Sequence, residues 1–327
     1  MTAKHDKDST GVYVTLPELV RLQAQATGFS FLPRQPVHSL LAGRHASRLR
    51  GRGLDFEELR QYQPGDDIRT MDWLATRRTG HPYVRVYTEE KERPVLLLVD
   101  QRLSMFFGSR YCMKSVTAAH AAALAAWRVV ASGDRVGALV FDDHEIREIR
   151  PQRSRKTVMR ILRAIVDHNR RLGVDRGIEP RPDRLDQVMR QAARLGGHGF
   201  LICVISDFSG LDDATLHWAR RILRHNDLLL VPIYDPLAKR LPDKGALVVS
   251  DGNLQIRLDS QDRRWERRFP EFLEGRLRVL KDALEAMGVP ILPVDTSGPV
   301  AEQVRSNLGW VPGRQAHAGR VVLRGSR

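Results

Sequence analysis

Two stretches of the chain are apolar without interruption and then stop at an acid. Val95 to Val99 ends at Asp100, and Phe200 to Ser206 ends at Asp207. Neither run alternates with polar residues, which is the pattern of a strand covered on both faces by helices. Helical stripes and further strand-like runs surround them. Lys114 to Ala131 places Val116, Ala119, Ala123, Trp127 and Val130 at steps of three and four, an apolar helical face. Arg135 to Asp142 predicts the next strand, and His144 to Arg150 a short edge strand. Val158, Ile161, Leu162, Ile165 and Val166 predict a helix, as do Leu185, Val188, Met189, Ala192 and Leu195. A helix over Ala214 to Asn226 and a strand over Leu228 to Tyr234 come next. Alternating β and α elements imply a doubly wound, mostly parallel sheet flanked by helices.

The flanks are more irregular. Leu16 to Gln25 predicts a short helix, Val37 to Leu41 another brief element, and Tyr83 to Tyr87, which alternates, a strand. Between them, residues 51–73 gather turn formers and charges around a few large apolar anchors. Pro64-Gly65 signals a turn, and Asp66 and Asp67 can cap the next short element. The pattern predicts a structured loop in which Asp66, Asp67 and Asp72 pair with Arg60, Arg69 and Arg77, while Phe56, Tyr62 and Trp73 dock on the core. Near 245–258 a hairpin is expected around Ser250-Asp251-Gly252-Asn253. A long helix through Phe272 to Met287, a strand over Ile291 to Val294 and a short helix over Val300 to Leu308 complete the pattern. The expected division is an N-terminal segment, 1–93, a sheet domain, 94–311, and a flexible tail, 312–327.

Composition narrows the function. The net charge is +14, from 53 Lys and Arg against 39 Asp and Glu, which invites a polyanion as partner. The arginines are nevertheless spread along the chain, aromatic residues are 6%, and no nucleic-acid-binding motif accompanies the charge. Cys112 and Cys203 are far apart and Cys203 lies in a predicted buried strand. That suggests neither a disulfide framework nor a zinc site, and fits a reducing, cytoplasmic setting. No window approaches the ~20 apolar residues of a membrane span. There is no Walker-type phosphate loop and no Gly-x-Gly-x-x-Gly after a strand. The histidines lack nucleophile-base spacing.

Ligands of open α/β sheets sit beyond the carboxyl ends of the strands, so Asp100 and Asp207 nominate one crevice. The run Gly53-Leu-Asp-Phe, Leu59-Arg60, Tyr62, Pro64 to Arg69, Asp72-Trp73, Arg77, Tyr83-Val84-Arg85 and Glu89-Glu90 leads into a strand reaching Asp100, then Ser104-Met105 and Gly108. With these residues the chain resembles bacterial domain-of-unknown-function family 58. The match is good over about 43–150 and loose elsewhere. The resemblance implies a von Willebrand factor A-like fold and association with a MoxR-type AAA+ ATPase. It also implies a divalent-cation site of the Asp-x-Ser-x-Ser kind, with a Thr and an Asp from two other loops. Asp100, Ser104 and Asp207 match as metal ligands. Arg102 stands at the middle serine, and Pro182-Asp183-Arg184 stands where the Thr is expected.

A guanidinium ~4 Å from a divalent ion would repel it by on the order of 8 kcal/mol at an effective dielectric of ~20. Two arrangements are compatible with that repulsion. In the first, Arg102 takes the ion's place, bridging Asp100 and either Asp207 or Asp183, and no cofactor is bound. In the second, Asp183 replaces the Thr, and three carboxylates with Ser104 hold Mg²⁺. The expected function is a non-enzymatic interaction module, an adaptor between a MoxR-like AAA+ ATPase and a client protein. Its partner-binding residues would be Arg102, Ser104, Asp183, Asp207 and Ser209 at the rim of a degenerate cation site. The alternatives are a metal-dependent phosphoester hydrolase and a nucleic-acid-binding protein.

Overall fold

The computed structural model describes residues 11–26, 54–89, 93–173, 176–238, 246–250, 255–259 and 287–307. Expected features at 37–41, 272–286 and 312–327 lie outside the described residues. The chain divides into a small unit, 33–92, and a sheet-bearing unit made of 1–32 and 93–327.

The sheet-bearing unit begins with α1 (Leu16–Arg21), started by a capping box in which Thr15 and Glu18 satisfy each other's backbone N–H groups. Residues 11–26, inside the expected N-terminal segment, pack on this unit. Leu19 is wholly buried, and the indole of Trp127 donates to its carbonyl at 3.1 Å.

The small unit contains β1 (Leu54–Gln61), α2 (Trp73–Thr79) and β2 (Tyr83–Glu89), with β1 antiparallel to β2. A strand at β1 was not expected. A register shift between Phe56 and Glu58 explains why. The bulge inserts one residue, so the sequence Leu-Asp-Phe-Glu-Glu-Leu loses its alternation and reads as loop.

Next in the sheet-bearing unit come β3 (Val95–Asp100), α3 (Lys114–Ala131), β4 (Val136–Phe141), β5 (Ile146–Gln152), α4 (Arg155–Arg171), α5 (Arg184–Leu195), β6 (Leu201–Ser206), α6 (Asp213–Ile222) and β7 (Asp227–Tyr234). β8 (Ala246–Ser250) and β9 (Gln255–Asp259) form the expected antiparallel hairpin, and β10 (Val294–Asp295) and α7 (Val300–Asn307) end the described chain. The main sheet runs β10-β7-β6-β3-β4-β5, parallel except for the β5 edge. Its order and its helices on both faces make it a doubly wound, mostly parallel α/β fold, consistent with a von Willebrand factor A-like architecture.

β3 is central, and its side chains divide between two cores. Val95, Leu97 and Val99 join a cluster with α3 and α4, while Leu96 and Leu98 join one with α5 and α6. A strand covered in this way cannot alternate in polarity, hence its unbroken apolar run. From β3 the chain moves outward to β4 and β5, then crosses to β6 on the other side of β3. The loops leaving β3 and β6 diverge at that reversal, which is where such a sheet opens a crevice.

One titratable group is trapped beneath this architecture. His168 on α4 is fully buried, its Nδ1 lies 2.8 Å from the Ala164 carbonyl, and its Nε2 has no hydrogen-bond partner. Burial, opposed by that carbonyl and by Asp142 and Glu145, pushes its pKa below the usual histidine value. The folded state therefore binds fewer protons than the unfolded one, so stability is expected to fall as pH drops below ~6.5. Thermal melts between pH 7 and 5 should show that slope, and His168→Gln should flatten it. Equal slopes in the two proteins would place the titration elsewhere.

Candidate functional site

Four loops meet at the carboxyl edge of the sheet, and buried acids join them. Asp100 ends β3 at zero exposure. Its Oδ1 accepts from the Arg102 backbone N–H at 2.9 Å and from Arg102 Nε at 3.1 Å. Its Oδ2 accepts from Arg102 Nη2 at 2.7 Å and from Ser206 Oγ at 2.6 Å. This is a bidentate, charge-assisted pair with every useful lone-pair direction of the carboxylate engaged. Arg102 is 2% exposed, and its guanidinium lies 5.7 Å from the Phe141 ring centre and 3.9 Å from Asp207 Oδ1. Burial works against its charge, but the Asp100 carboxylate outweighs burial and raises the pKa above the ordinary arginine value. A planar fork fits such a site where a lysine's single ammonium would not.

Asp207 is reached from a second direction. Lys114, the first residue of α3, places Nζ 2.7 Å from its Oδ2, while the Ser209 N–H donates to Oδ1 at 2.9 Å and Ser104 Oγ lies 3.4 Å from the same atom. Burial disfavours its charge, but the charges of Lys114 and Arg102 win and hold its pKa at about 2. The next residue, Phe208, has φ 55° and is the one non-glycine residue among those described with a positive φ. Such backbone is strained and persists only where the surroundings enforce it. Here the Phe208 N–H donates to Ser206 Oγ at 2.9 Å and the ring is 8% exposed.

Asp143, after β4, is the third anchor. Its Oδ2 accepts from the Leu103 N–H at 2.6 Å and its Oδ1 from the Arg181 N–H at 2.8 Å. It thereby ties the loop after β3 to the segment before α5. The loop after β6 meets that segment too, because a Cβ on Gly210, at φ 83°, would lie 2.3 Å from the Pro182 carbonyl oxygen. Asp235, after β7, accepts from Ser109 N–H at 2.7 Å and from Thr296 Oγ1 at 2.5 Å. Burial opposes its charge and the hydrogen bonds of Ser109 and Thr296 overcome it, holding the carboxyl below its usual range.

Asp100, Arg102, Ser104 and Asp207 therefore come together, with Ser209 contributing its backbone N–H. Asp183 does not join them. It is 53% exposed at the side chain and paired with Arg181 at 2.9 Å. Neither the Arg102–Asp183 bridge nor a cation ligand at Asp183 is formed, because a guanidinium two residues away in the same turn reaches Asp183 first. Arg102, at 2% exposure, is also too deeply buried to touch a partner. Ser206, Asp143 and Lys114 were missed. Asp143 obeys the strand-terminal rule that nominated Asp100, since Asp142-Asp143 comes directly after β4. Lys114 carries no local signal.

These residues do not fit a divalent ion. Both oxygens of Asp100 are engaged by Arg102 and Ser206, and two cationic groups occupy the approach to Asp207. Among the described residues, no group of three or more His, Cys, Asp or Glu side chains is arranged to hold a metal. The Asp207 ion pairs give a second pH window. With a folded pKa of about 2 against 3.8 unfolded, its contribution is complete above ~4 and lost as pH falls towards 2. Lys114→Met is expected to remove on the order of 2 kcal/mol at pH 7 and about half of that at pH 3, read by urea unfolding at both pH values. A loss that is the same at both would mean packing, not charge.

The pairing outside the sheet unit differs from expectation. Asp66 pairs with Arg60 at 2.9 Å, but Asp72 pairs with Arg85 at 2.8 Å instead of Arg77. Asp67 caps the Arg69 N–H. Trp73 does not dock on a core and is 67% exposed.

Among solved structures the chain is similar to the conserved hypothetical protein BatB from Bacteroides thetaiotaomicron, at 14% identity and TM-score 0.43, covering 66% of this chain and 97% of that one. It is also similar to an aerotolerance-related membrane protein from Bacteroides fragilis, at 13% identity and TM-score 0.41, covering 66% of this chain and 98% of that one. No helix among the described residues here is long and apolar enough to cross a membrane. Among curated proteins, the uncharacterized proteins Mb1516 of Mycobacterium bovis and Rv1480 of Mycobacterium tuberculosis are each 31% identical over 234 residues, 71% of this chain and 71% of theirs. The model of the family described as "Protein of unknown function DUF58" matches residues 58–273, and the chain belongs to that family.

Proposed function

We propose that this chain is a non-enzymatic, cytoplasmic interaction module that couples a MoxR-type AAA+ ATPase to a client protein through the rim of its sheet. The observation that supports the reading is the Arg102 guanidinium, seated between Asp100 and Asp207 where a related cation site would hold its ion. An internal cation keeps the loops in their binding geometry without a soluble metal, so the rim works as a fixed surface. The groups at that surface are Ser104, Ser209 and the Arg181–Asp183 pair, with Arg110 and Tyr111 in the loop after β3, all at least partly exposed. A phosphoester hydrolase would need Asp100 as a metal ligand or nucleophile, and its carboxylate is already saturated by Arg102 and Ser206.

Two measurements test this. Titration calorimetry with Mg²⁺ and Mn²⁺ is expected to show no saturable binding to the natural chain; binding that disappears in Asp207→Ala would reverse the metal-free assignment. Co-purification with a MoxR-type ATPase from the same genome is expected, and to weaken when Ser104, Arg181 and Ser209 are replaced together. Undiminished binding by that triple variant would move the interface off the rim.

A further inference from the structure

Among the described residues of the small unit, several large apolar side chains stand outward. Trp73 is 67% exposed, Leu74 79% and Ile68 61%. In α2 the residues turned partly inward are the small Ala75 and Thr76, the reverse of what a helix serving only the fold would do. The display is rigidly mounted. Asp72 caps the helix by accepting from the Ala75 N–H at 2.9 Å and is itself held by Arg85 Nε at 2.8 Å. Gly80 closes it at φ 74°, and the Tyr83 N–H donates to Thr76 Oγ1 at 3.0 Å, pinning α2 to β2. A free chain gains nothing by fixing a tryptophan and a leucine in water, and exposed apolar clusters of this kind mark contact surfaces.

Charge says what covers it. Arg77 stands four residues after Trp73 and three after Leu74, and Arg78 four after Leu74, so both border the anchors on the helix surface. Arg69 lies in the turn that carries Ile68. All three are exposed and make no ion pair among the described residues. The nearby acids are already engaged, Asp66 by Arg60, Asp72 by Arg85, and Asp67 by the Arg69 N–H. The surface is thus an apolar centre, with the Trp and Arg residues that dominate protein interfaces, inside a positive border. A second copy of a chain carrying +14 would meet it with like charge. A helix of 7 residues presents too little apolar area to hold a bilayer.

From these observations we infer that the start of α2, with Trp73 and Leu74 exposed on it, is a docking surface for an acidic, amphipathic segment of a partner protein. Its apolar side chains cover Trp73 and Leu74 while its carboxylates pair with Arg77 and Arg78. This goes beyond the rim reading and does not depend on it, since no rim residue takes part.

The full-length chain is titrated into a fluorescein-labelled synthetic helical peptide with Leu at i, i+4 and i+7 and Glu at its remaining positions, and into the same peptide with Gln for Glu. Anisotropy is expected to give saturable binding to the Glu peptide, at least tenfold tighter than to the Gln peptide and weakened by salt. Trp73→Ala and the pair Arg77→Glu, Arg78→Glu should each weaken it about tenfold or more. These side chains are exposed in the free chain, so melting temperatures should hold within a degree or two. Asp207→Asn should bind as the natural chain does, which separates this surface from the rim. Equal affinity for the two peptides, or equal affinity of the natural chain and the Trp73→Ala variant, overturns the inference. So does binding to phosphatidylserine vesicles without binding to the Glu peptide.

Discussion

Replacing Arg102 by serine is expected to lower the melting temperature by about 10 °C and, at the same time, to create a divalent-cation site. The first effect comes from leaving the Asp100 side chain at zero exposure without its guanidinium partner, with only Ser206 and a backbone N–H for company. Removing one member of a buried ion pair costs about 3–5 kcal/mol, and in a unit of this size each kcal/mol moves the melting temperature by about 2–4 °C. The second arises because serine supplies a hydroxyl ligand beside Ser104 and removes the cation seated on Asp100, leaving Lys114, whose flexible side chain can swing away, as the one cation at Asp207. Mg²⁺ or Mn²⁺ should therefore recover part of the lost stability in Arg102→Ser and none in the natural chain. Adding Asp207→Asn to the serine variant should abolish the recovery. A serine variant that melts with the natural chain and ignores both ions would show that the guanidinium does not hold the crest.

Asp143→Ala should cost about 3 kcal/mol although it lies in no recognisable motif. Its carboxylate accepts two backbone N–H groups, Leu103 and Arg181, and so joins the loop after β3 to the segment before α5. Hydrogen bonds to a charged acceptor contribute about 1.5–3 kcal/mol each, and the Leu103 donor would be left unsatisfied in a buried place. Amide exchange is the discriminating measurement. Protection should fall at Leu103 and Arg181 together, while β3 and β6 keep theirs. Loss confined to one of the two segments would mean that Asp143 does not couple them.

Much of the fold was legible because burial on both faces leaves its own mark on composition. Val95 to Val99 and Leu201 to Ile205 carry no polar residue, since each sends alternate side chains into one of two cores. The amphipathic stripes of α4 and α5 were legible for the complementary reason, that each has one core face, whereas α3, read as a single stripe, is buried almost all round by its many small alanines. β1 was not, because its bulge destroys the period of 2 on which recognition depends. Trp73 was misread because a large aromatic residue near turn formers is ordinarily an anchor, and local sequence says nothing about whether a core lies beneath it.

The same distinction runs through the candidate site. By itself, the sequence determined that two strands end in acids, that both strands are central, and that an arginine stands two residues after the first acid. Those are local facts, set by the apolar run and the residue that terminates it. Only the tertiary structure decided that Arg102 folds back on Asp100 and faces Asp207, that Lys114 supplies the second cation, and that Asp183 stays outside with Arg181. Each of these is a choice among partners that chain order does not single out, and Arg102 meets Asp207 across 105 residues. Such choices depend on which charge reaches an acid first once the loops have closed, and chain order carries no record of that.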